Sequence, residues 1–297
     1  MPAVIEAAIL AAIHERLDAA LAPSPLRYRP LVVGDVALGW IDDLRADRLA
    51  RFGTNVFRVE ASAVRIAAGL RGCASRSAAL ADVALALRAE GALPAWRDEL
   101  YAVAARFRGA PAFVLERGAA RYFGVRTWAA HVNGLVHGES PCMWLARRSH
   151  TKAVDPGLLD NLVGGGIAAD QDVGQTVVKE AFEEAGIGAA LARQARPAGA
   201  VHVRRPMADG LQQETIFVHD LWLPVGFVPE NQDGEAIEHR LVDPAEAARL
   251  IAQQDGGDET TVDASLVVLD YLIRSGVVVP DQPRFVELEA LRYRGGV

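Results

Sequence analysis

Three consecutive glycines, followed by a short helix with three glutamates, constrain this chain more than any other feature. Residues 164–187 read GGGIAADQDVGQTVVKEAFEEAGI. Asp172 and Gln175 match the pattern of an N-terminal capping box, and Gly186 followed by Ile187 is typical of a left-handed C-cap. The sequence therefore predicts a helix from about residue 173 to 185.

The predicted helix crowds its carboxylates. Its apolar residues have the spacing i, i+3, i+4 and i+7, which predicts one buried stripe of Val178, Ala181, Phe182 and Ala185. The glutamates fall roughly opposite that stripe: Glu180, Glu183 and Glu184. Like charges at this spacing repel by about 0.2–0.5 kcal/mol per pair. A converging set would suit Mg²⁺ or Mn²⁺, which prefer oxygen ligands. Ordinary solvated glutamates are the alternative for the three residues taken alone.

The surrounding residues resemble the Nudix signature, G-x5-E-x7-R-E-U-x-E-E-x-G-U, in which U is a bulky aliphatic residue. Gly165 takes the first position, Glu180 follows the arginine position, and the paired glutamates and the final Gly-Ile also match. Gln171 stands where the signature has its first glutamate, Lys179 replaces the arginine, and Ala181 replaces the bulky aliphatic.

The resemblance implies a hydrolase that cleaves a diphosphate linked to another group. In that family, glutamates of the signature hold divalent ions, which activate a water for attack on phosphorus. By resemblance, Glu180, Glu183 and Glu184 are metal ligands here, and Glu183 and Glu184 take part in catalysis. A loop shaped by Gly164, Gly165 and Gly166 is expected to bring backbone N–H groups close to the ion or the phosphate.

Flanking segments narrow the resemblance to one Nudix subfamily. These segments are WLARRSHTKAVDPGLLDNLVGGGI, HDLWLPVGFVPENQDGE and VVLDYLIRSG. Members carry an N-terminal domain of unknown function, and a relative is fused to thiamine pyrophosphokinase in fungi. They are associated with hydrolysis of thiamine diphosphate and its oxidised forms to the monophosphate. The implied fold class is α/β (α+β): an α/β/α sandwich with a mixed sheet, preceded by a small α/β domain.

Basic residues supply candidate phosphate ligands. Only two of the 31 basic residues are lysines, Lys152 and Lys179, and both lie near the glutamate helix in sequence. Arg147, Arg148, Lys152 and Lys179 are predicted to bind the substrate. Glu235, in the loop PENQDGE, is a candidate general base or further metal ligand, although Asp-Gly sequences also mark ordinary turns. Glu214 is interpreted as a strand residue without a role in the site.

Composition bounds the organisation of the chain. The 297 residues predict an α/β domain over 1–118, acting as a substrate cover or dimer contact, and a Nudix domain over 119–297. A net charge of -7 argues against a nucleic-acid partner. Two cysteines favour a reducing compartment, and the first residues are expected to form an amphipathic helix rather than a signal peptide. We therefore expect a cytoplasmic protein without a membrane span, with a homodimer as an open alternative.

Two other functions remain open at this stage. The same chemistry fits ADP-ribose, a dinucleotide or a nucleotide sugar as substrate. A non-catalytic module that binds a diphosphate is the second alternative. Gln171 favours that module, whereas the intact set of three glutamates favours catalysis.

Overall fold

A computed structural model describes residues 5–138, 140–254 and 257–296. The first four residues of the predicted N-terminal helix lie outside these ranges. The helices are α1 (Ala7–Ala20), α2 (Asp43–Leu49), α3 (Gly72–Ala89), α4 (Val173–Ala185), α5 (Ala189–Ala192), α6 (Pro244–Ala252), α7 (Val262–Arg274) and α8 (Phe285–Leu291). The strands are β1 (Tyr28–Val33), β2 (Val36–Asp42), β3 (Phe57–Val59), β4 (Val64–Ile66), β5 (Leu100–Val103), β6 (Phe113–Glu116), β7 (Arg126–Val136), β8 (Cys142–Arg148), β9 (Leu159–Asn161), β10 (Val163–Gly166), β11 (Arg196–Met207), β12 (Gly210–Leu223) and β13 (Ala236–Val242).

A mixed sheet organises the C-terminal part. Its strand order is β11-β12-β7-β8-β13, with β10 also paired to β7 and β9 to β8. Strand β12 runs parallel to β7, and the other pairs in this sheet are antiparallel. The predicted mixed sheet is confirmed.

Helices cover both faces of this sheet. Successive residues of a strand point to opposite faces, so neighbouring residues of β7 contact different helices. Ala129 of β7 packs in the core cluster that holds α1, α6, α7 and α8. Its neighbour Ala130 packs in the cluster that holds α4 and α5. The C-terminal part is therefore an α/β/α sandwich, as predicted.

Helix α1 packs against the C-terminal helices. Leu10, Ile13 and Leu17 are fully buried in the same cluster as α6, α7 and α8. Arg16 donates from Nη1 to Ser265 Oγ at 2.7 Å and to the Ile251 carbonyl at 2.9 Å. By these contacts α1 belongs to the hydrophobic core of the C-terminal part, called the second core below, although α1 lies within the predicted 1–118 unit.

The segment after α1 forms a unit with its own core. Its four-stranded sheet has the order β2-β1-β4-β3, and strands β5 and β6 form a separate antiparallel hairpin. Leu31, Phe57, Leu80 and Phe113 are among the fully buried residues of this core. In the described ranges, no helix is long and apolar enough to cross a membrane.

The ends of α4 agree with the sequence. Asp172 Oδ1 accepts from the Gln175 N–H at 2.8 Å, and Gln175 Oε1 accepts from the Asp172 N–H at 2.8 Å. Gly186 ends the helix with a φ of 65°. The predicted capping box, C-cap and helix bounds are confirmed.

The predicted buried face of α4 is wrong in part. Phe182 is 54% exposed, whereas Glu180 is only 8% exposed. The buried stripe runs instead through Val177, Ala181 and Ala185, which have the spacing i, i+4 and i+8. Glu180 lies beside that stripe, so the three glutamates do not share one solvated face.

The glycine triplet lies in a strand, and the prediction of a loop is wrong. Gly164, Gly165 and Gly166 pair with His131, Ala130 and Ala129 of β7. Atoms of neighbouring residues occupy the space that a Cβ would need, which explains why glycine stands at these positions. A Cβ on Gly165 would lie 2.3 Å from the carboxyl carbon of Glu180, and a Cβ on Gly166 would lie 1.7 Å from the Tyr101 hydroxyl.

Candidate functional site

A polar cleft of about 400 Å³ lies between the glycine strand β10, the start of α7 and the hairpin β5–β6. Its walls carry both acids and bases from the two halves of the chain. A larger groove of about 800 Å³ runs along the outer side of α4, and its lining is mostly apolar. Since phosphate chemistry needs charged groups, the polar cleft is the candidate active site.

Of the three glutamates of α4, Glu180 lines the cleft, whereas Glu183 and Glu184 do not. Glu184 contacts the glycine strand, because its Oε2 accepts a hydrogen bond from the Gly164 N–H at 2.8 Å. Burial raises the pKa of both carboxyls, and in Glu184 the negative charge of Glu180 contributes further, to a value of about 8. These two acids lie close enough to repel each other.

Lysine 179 separates the third glutamate from this pair. Lys179 Nζ lies 3.0 Å from Glu180 Oε1 and 2.9 Å from Glu183 Oε2. Neither Lys179 nor Glu183 lines the polar cleft. The ammonium group therefore balances charge on α4, and the predicted substrate contact of Lys179 stays a prediction.

The carboxylate oxygens of Glu180 and Glu184 are the type of ligand that a hard divalent cation such as Mg²⁺ prefers. Such an ion would relieve Glu184, whose proton affinity is raised by burial and by the negative charge of Glu180. Across the described ranges, however, no group of three or more His, Cys, Asp or Glu side chains is arranged to hold a metal. The metal role of Glu180, Glu183 and Glu184 stays a prediction, with Glu180 and Glu184 the best placed.

Lys152 and Arg148 form the basic side of the cleft. Lys152 makes an ion pair with Glu235, and its side chain is only 11% exposed. Burial lowers the pKa of Lys152 to about 8, and the positive charge of Arg148 adds to this effect. Arg148 Nη1 lies 2.8 Å from Asp160 Oδ2. Both predicted phosphate ligands thus lie in the same cleft as Glu180.

Arg147 lies outside the cleft because neighbouring strand residues point to opposite faces. Its Nε lies 2.5 Å from Glu238 Oε2, and its Nη1 donates to the Gly157 carbonyl at 3.0 Å. It also pairs with Asp258. Arg147 therefore links loops on the other side of β8 and does not line the cleft as predicted. Of the three basic residues predicted from this segment, Arg148 and Lys152 line it.

Glu235 connects the two halves of the chain. Its carboxylate pairs with Lys152 and lies 3.8 Å from Arg97 Nη1, while its backbone carbonyl accepts from the Ser149 N–H at 2.8 Å. The structure thus places Glu235 in the cleft. Its partners are cations, which favours a role in orienting Lys152 and Arg97 over a role as a general base.

A second acidic group was missed from the sequence. Gln212 Nε2 donates to Asp263 Oδ2 at 2.9 Å and lies 3.3 Å from Glu214 Oε2, so one amide joins two carboxylates. Asp263 Oδ1 is buried without a hydrogen-bond partner in the described part of the chain. Burial raises the pKa of Asp263 to about 6. No local motif marks these residues, because β12 and α7 meet only in the fold.

Residues of the hairpin β5–β6 were also missed. Arg97, Glu99, Tyr101 and Arg117 line the cleft opposite α4 and β10. The hairpin is attached to the second half of the chain by a hydrogen bond of 2.8 Å from the Ala169 N–H to the Leu100 carbonyl. The first half therefore contributes side chains to the candidate site.

The matches to two family models meet at the start of β7. Residues 18–127 match a domain described as "Domain of unknown function (DUF4743)", and residues 126–263 match the NUDIX domain. The chain contains a Nudix domain. Glu180, Glu183 and Glu184 lie within its bounds, whereas Arg97, Tyr101 and Arg117 lie within the DUF4743 domain.

The chain is similar to curated proteins over about two thirds to three quarters of its length. The chain is 38% identical over 221 residues to "Nudix hydrolase 20, chloroplastic" of Arabidopsis thaliana, and 37% identical over 214 residues to "Nudix hydrolase 24, chloroplastic" of the same plant. These matches cover 74% and 72% of this chain. A third relative is the uncharacterized protein YJR142W of Saccharomyces cerevisiae, at 29% identity over 67% of this chain and 61% of that protein. The chain spans 58% of each Arabidopsis protein.

Proposed function

We propose that this chain is a divalent-metal-dependent hydrolase of organic diphosphates. One observation carries the proposal: a single cleft holds Glu180, beside the glycine strand, together with the cations Arg148 and Lys152. A bound Mg²⁺ or Mn²⁺ would supply charge neutralisation and an activated water, with Glu180 and Glu184 as its first candidate ligands.

In this proposal two cations contact the phosphate groups, and neighbouring residues hold these cations and Glu184 in position. Arg148 and Lys152 attract the phosphate oxygens and orient the diphosphate. Glu235 and Asp160 hold these two cations by ion pairs. The Gly164 N–H holds Glu184 in place. Residues of both halves of the chain wall the cleft.

For the group attached to the diphosphate, we propose thiamine or an oxidised form of it, with the monophosphate and inorganic phosphate as products. The acidic group of Glu214 and Asp263 supports this choice. Thiamine carries an exocyclic amine and a positively charged ring, and both favour carboxylate partners. The unpartnered Asp263 Oδ1 is an acceptor that such a donor would satisfy.

A non-catalytic binding module is the second candidate, because Gln171 replaces the first glutamate of the signature. Gln171 Oε1 accepts from the Thr176 hydroxyl at 3.1 Å, and Gln171 does not line the cleft. The amide therefore acts at the start of α4. Its position leaves Glu180 and Glu184 unaffected, which favours turnover.

A substrate panel tests these proposals. The purified chain is incubated with Mg²⁺ and, separately, with thiamine diphosphate, oxothiamine diphosphate, ADP-ribose, NADH and a nucleoside triphosphate. We expect release of inorganic phosphate from the thiamine compounds. Glu184→Gln is expected to abolish that release, whereas Glu246→Gln, on the exposed side of α6, is the matched control and keeps it.

Each outcome of the panel has one meaning. Turnover of ADP-ribose or NADH without turnover of the thiamine compounds would reject the thiamine proposal and keep the hydrolase. Tight binding of a diphosphate without any turnover would favour the binding module.

A further inference from the structure

The DUF4743 domain supplies three side chains that face the diphosphate site from the side opposite α4. Arg97 and Arg117 flank the hairpin β5–β6, and Tyr101 lies within β5. We propose that these residues bind the phosphate groups of the substrate, so that the DUF4743 domain is half of the binding site. This inference rests on the proposed diphosphate substrate and assigns it a second set of ligands.

Tyr101 is a buried polar group directed into the cleft. The side chain is only 6% exposed, and its hydroxyl lies so close to β10 that it occupies the space of a side chain on Gly166. The hydroxyl is not one of the enclosed polar atoms that lack a partner, because Tyr101 lines the cleft. A phosphate oxygen in the cleft would accept a hydrogen bond from it.

The two arginines add positive charge to the same space. Arg117 Cζ lies 5.7 Å from the centre of the Tyr101 ring, and its Nη1 lies 2.8 Å from Glu99 Oε2. The positive charges of Arg117 and Arg148, after burial itself, lower the pKa of Arg97. Arginines from both domains therefore point at one volume, where a dianionic or trianionic ligand would relieve their repulsion.

One buried carboxylate holds the backbone at Arg97 and at Gly118, the residue after Arg117. Glu116 is 6% exposed, and its Oε1 accepts from the Arg97 N–H at 2.8 Å and from the Gly118 N–H at 3.2 Å. Gly118 itself contacts the carbonyl of Ala95, which a Cβ would approach to 2.6 Å. The arginines are thus held in position before a ligand arrives, which lowers the entropic cost of binding.

Titration with methylenediphosphonate tests the inference without any need for turnover. This diphosphate analogue is not hydrolysed, and its affinity is measured by calorimetry in the presence of Mg²⁺. We expect Arg97→Gln and Arg117→Gln each to weaken binding about tenfold or more, and Tyr101→Phe to weaken it several-fold. Arg97→Lys keeps the charge and is expected to recover most of the affinity.

Arg106→Gln is the matched control, since it removes the same charge from the exposed loop of the same hairpin, outside the cleft. Melting temperatures of all variants show whether the fold persists. Affinities within twofold of the unmodified chain for both Arg97→Gln and Arg117→Gln would overturn the inference, as would failure of the unmodified chain to bind the analogue at millimolar concentration. Binding that the arginine variants lose, in a chain that hydrolyses nothing, would keep the inference and reject the hydrolase.

Discussion

The carboxylate of Glu184 accepts a hydrogen bond of 2.8 Å from the backbone N–H of Gly164. This bond joins α4, which carries the glutamates, to β10, which carries the glycines. Glutamates and glycines therefore keep a fixed relation to each other. Gly165, which takes the first position of the signature, in turn leaves room for the side chain of Glu180.

Divalent ions are expected to stabilise the chain through the acids of α4. Addition of millimolar Mn²⁺ should raise the melting temperature, since a ligand that binds only the folded state stabilises it. The double variant Glu180→Gln, Glu184→Gln should lose this increase. Glu246→Gln serves as the control. An equal increase in the double variant would place the ion elsewhere.

Gly166→Ala is expected to disturb the contact between the two halves of the chain. The new Cβ would overlap the Tyr101 hydroxyl at 1.7 Å, so the hairpin must move away from β10. We expect a loss of about 1–3 kcal/mol in the free energy of unfolding, measured with urea. Gly188→Ala is the control, because nothing lies within 4 Å of a Cβ there. Equal stability of the two variants would contradict the close approach.

Asp270→Asn is expected to destabilise the second core strongly. Asp270 is 2% exposed and pairs with Arg292 at 2.7 Å and with Arg274 at 2.6 Å. Removal of its charge takes from the buried Arg292 one of its two carboxylate partners, the other being the half-exposed Glu289, at a cost of up to about 3–5 kcal/mol. Urea unfolding measures the loss. Glu287→Gln, which breaks an exposed pair, should leave stability unchanged within error.

Asp263 is expected to make stability depend on pH. Burial raises its pKa from 3.8 to about 6, so the folded state binds the proton more tightly than the unfolded state. The group therefore favours folding below about pH 4 and loses that contribution as pH rises through 6. Relative to the unmodified chain, Asp263→Asn should gain stability between pH 4 and pH 7.5, by at most about 3 kcal/mol. A difference that does not change with pH would contradict this, and Asp281→Asn, at an exposed position, is the control.

Local signals in the sequence were sufficient to predict the bounds of α4 but not to predict which face of this helix is buried. Asp172, Gln175 and Gly186 define the ends of α4 through hydrogen bonds to near neighbours, so the bounds followed from the sequence. The buried face depends on what packs against it. Gly165 leaves room for Glu180 on the sheet side, whereas Phe182 is 54% exposed in the part of the chain that the structure describes.

The site was predictable where the sequence resembles the family. Glu180 comes from the signature itself, Arg148, Lys152 and Glu235 come from the flanking segments, and all four line the cleft. Tyr101 and Asp263 come from segments far away along the chain. Their positions depend on how the hairpin and α7 dock on the sheet, which no local pattern records. The same reason explains why Glu214 was interpreted as an ordinary strand residue.

Helix α1 packs with α6, α7 and α8, and the chain enters the Nudix domain at β7, so the DUF4743 unit is attached to that domain at both of its ends. A unit held at both ends resists swinging open about a single hinge. Loss of α1 would free one attachment, so that the arginines of the hairpin would no longer be held at a constant distance from the acids they oppose.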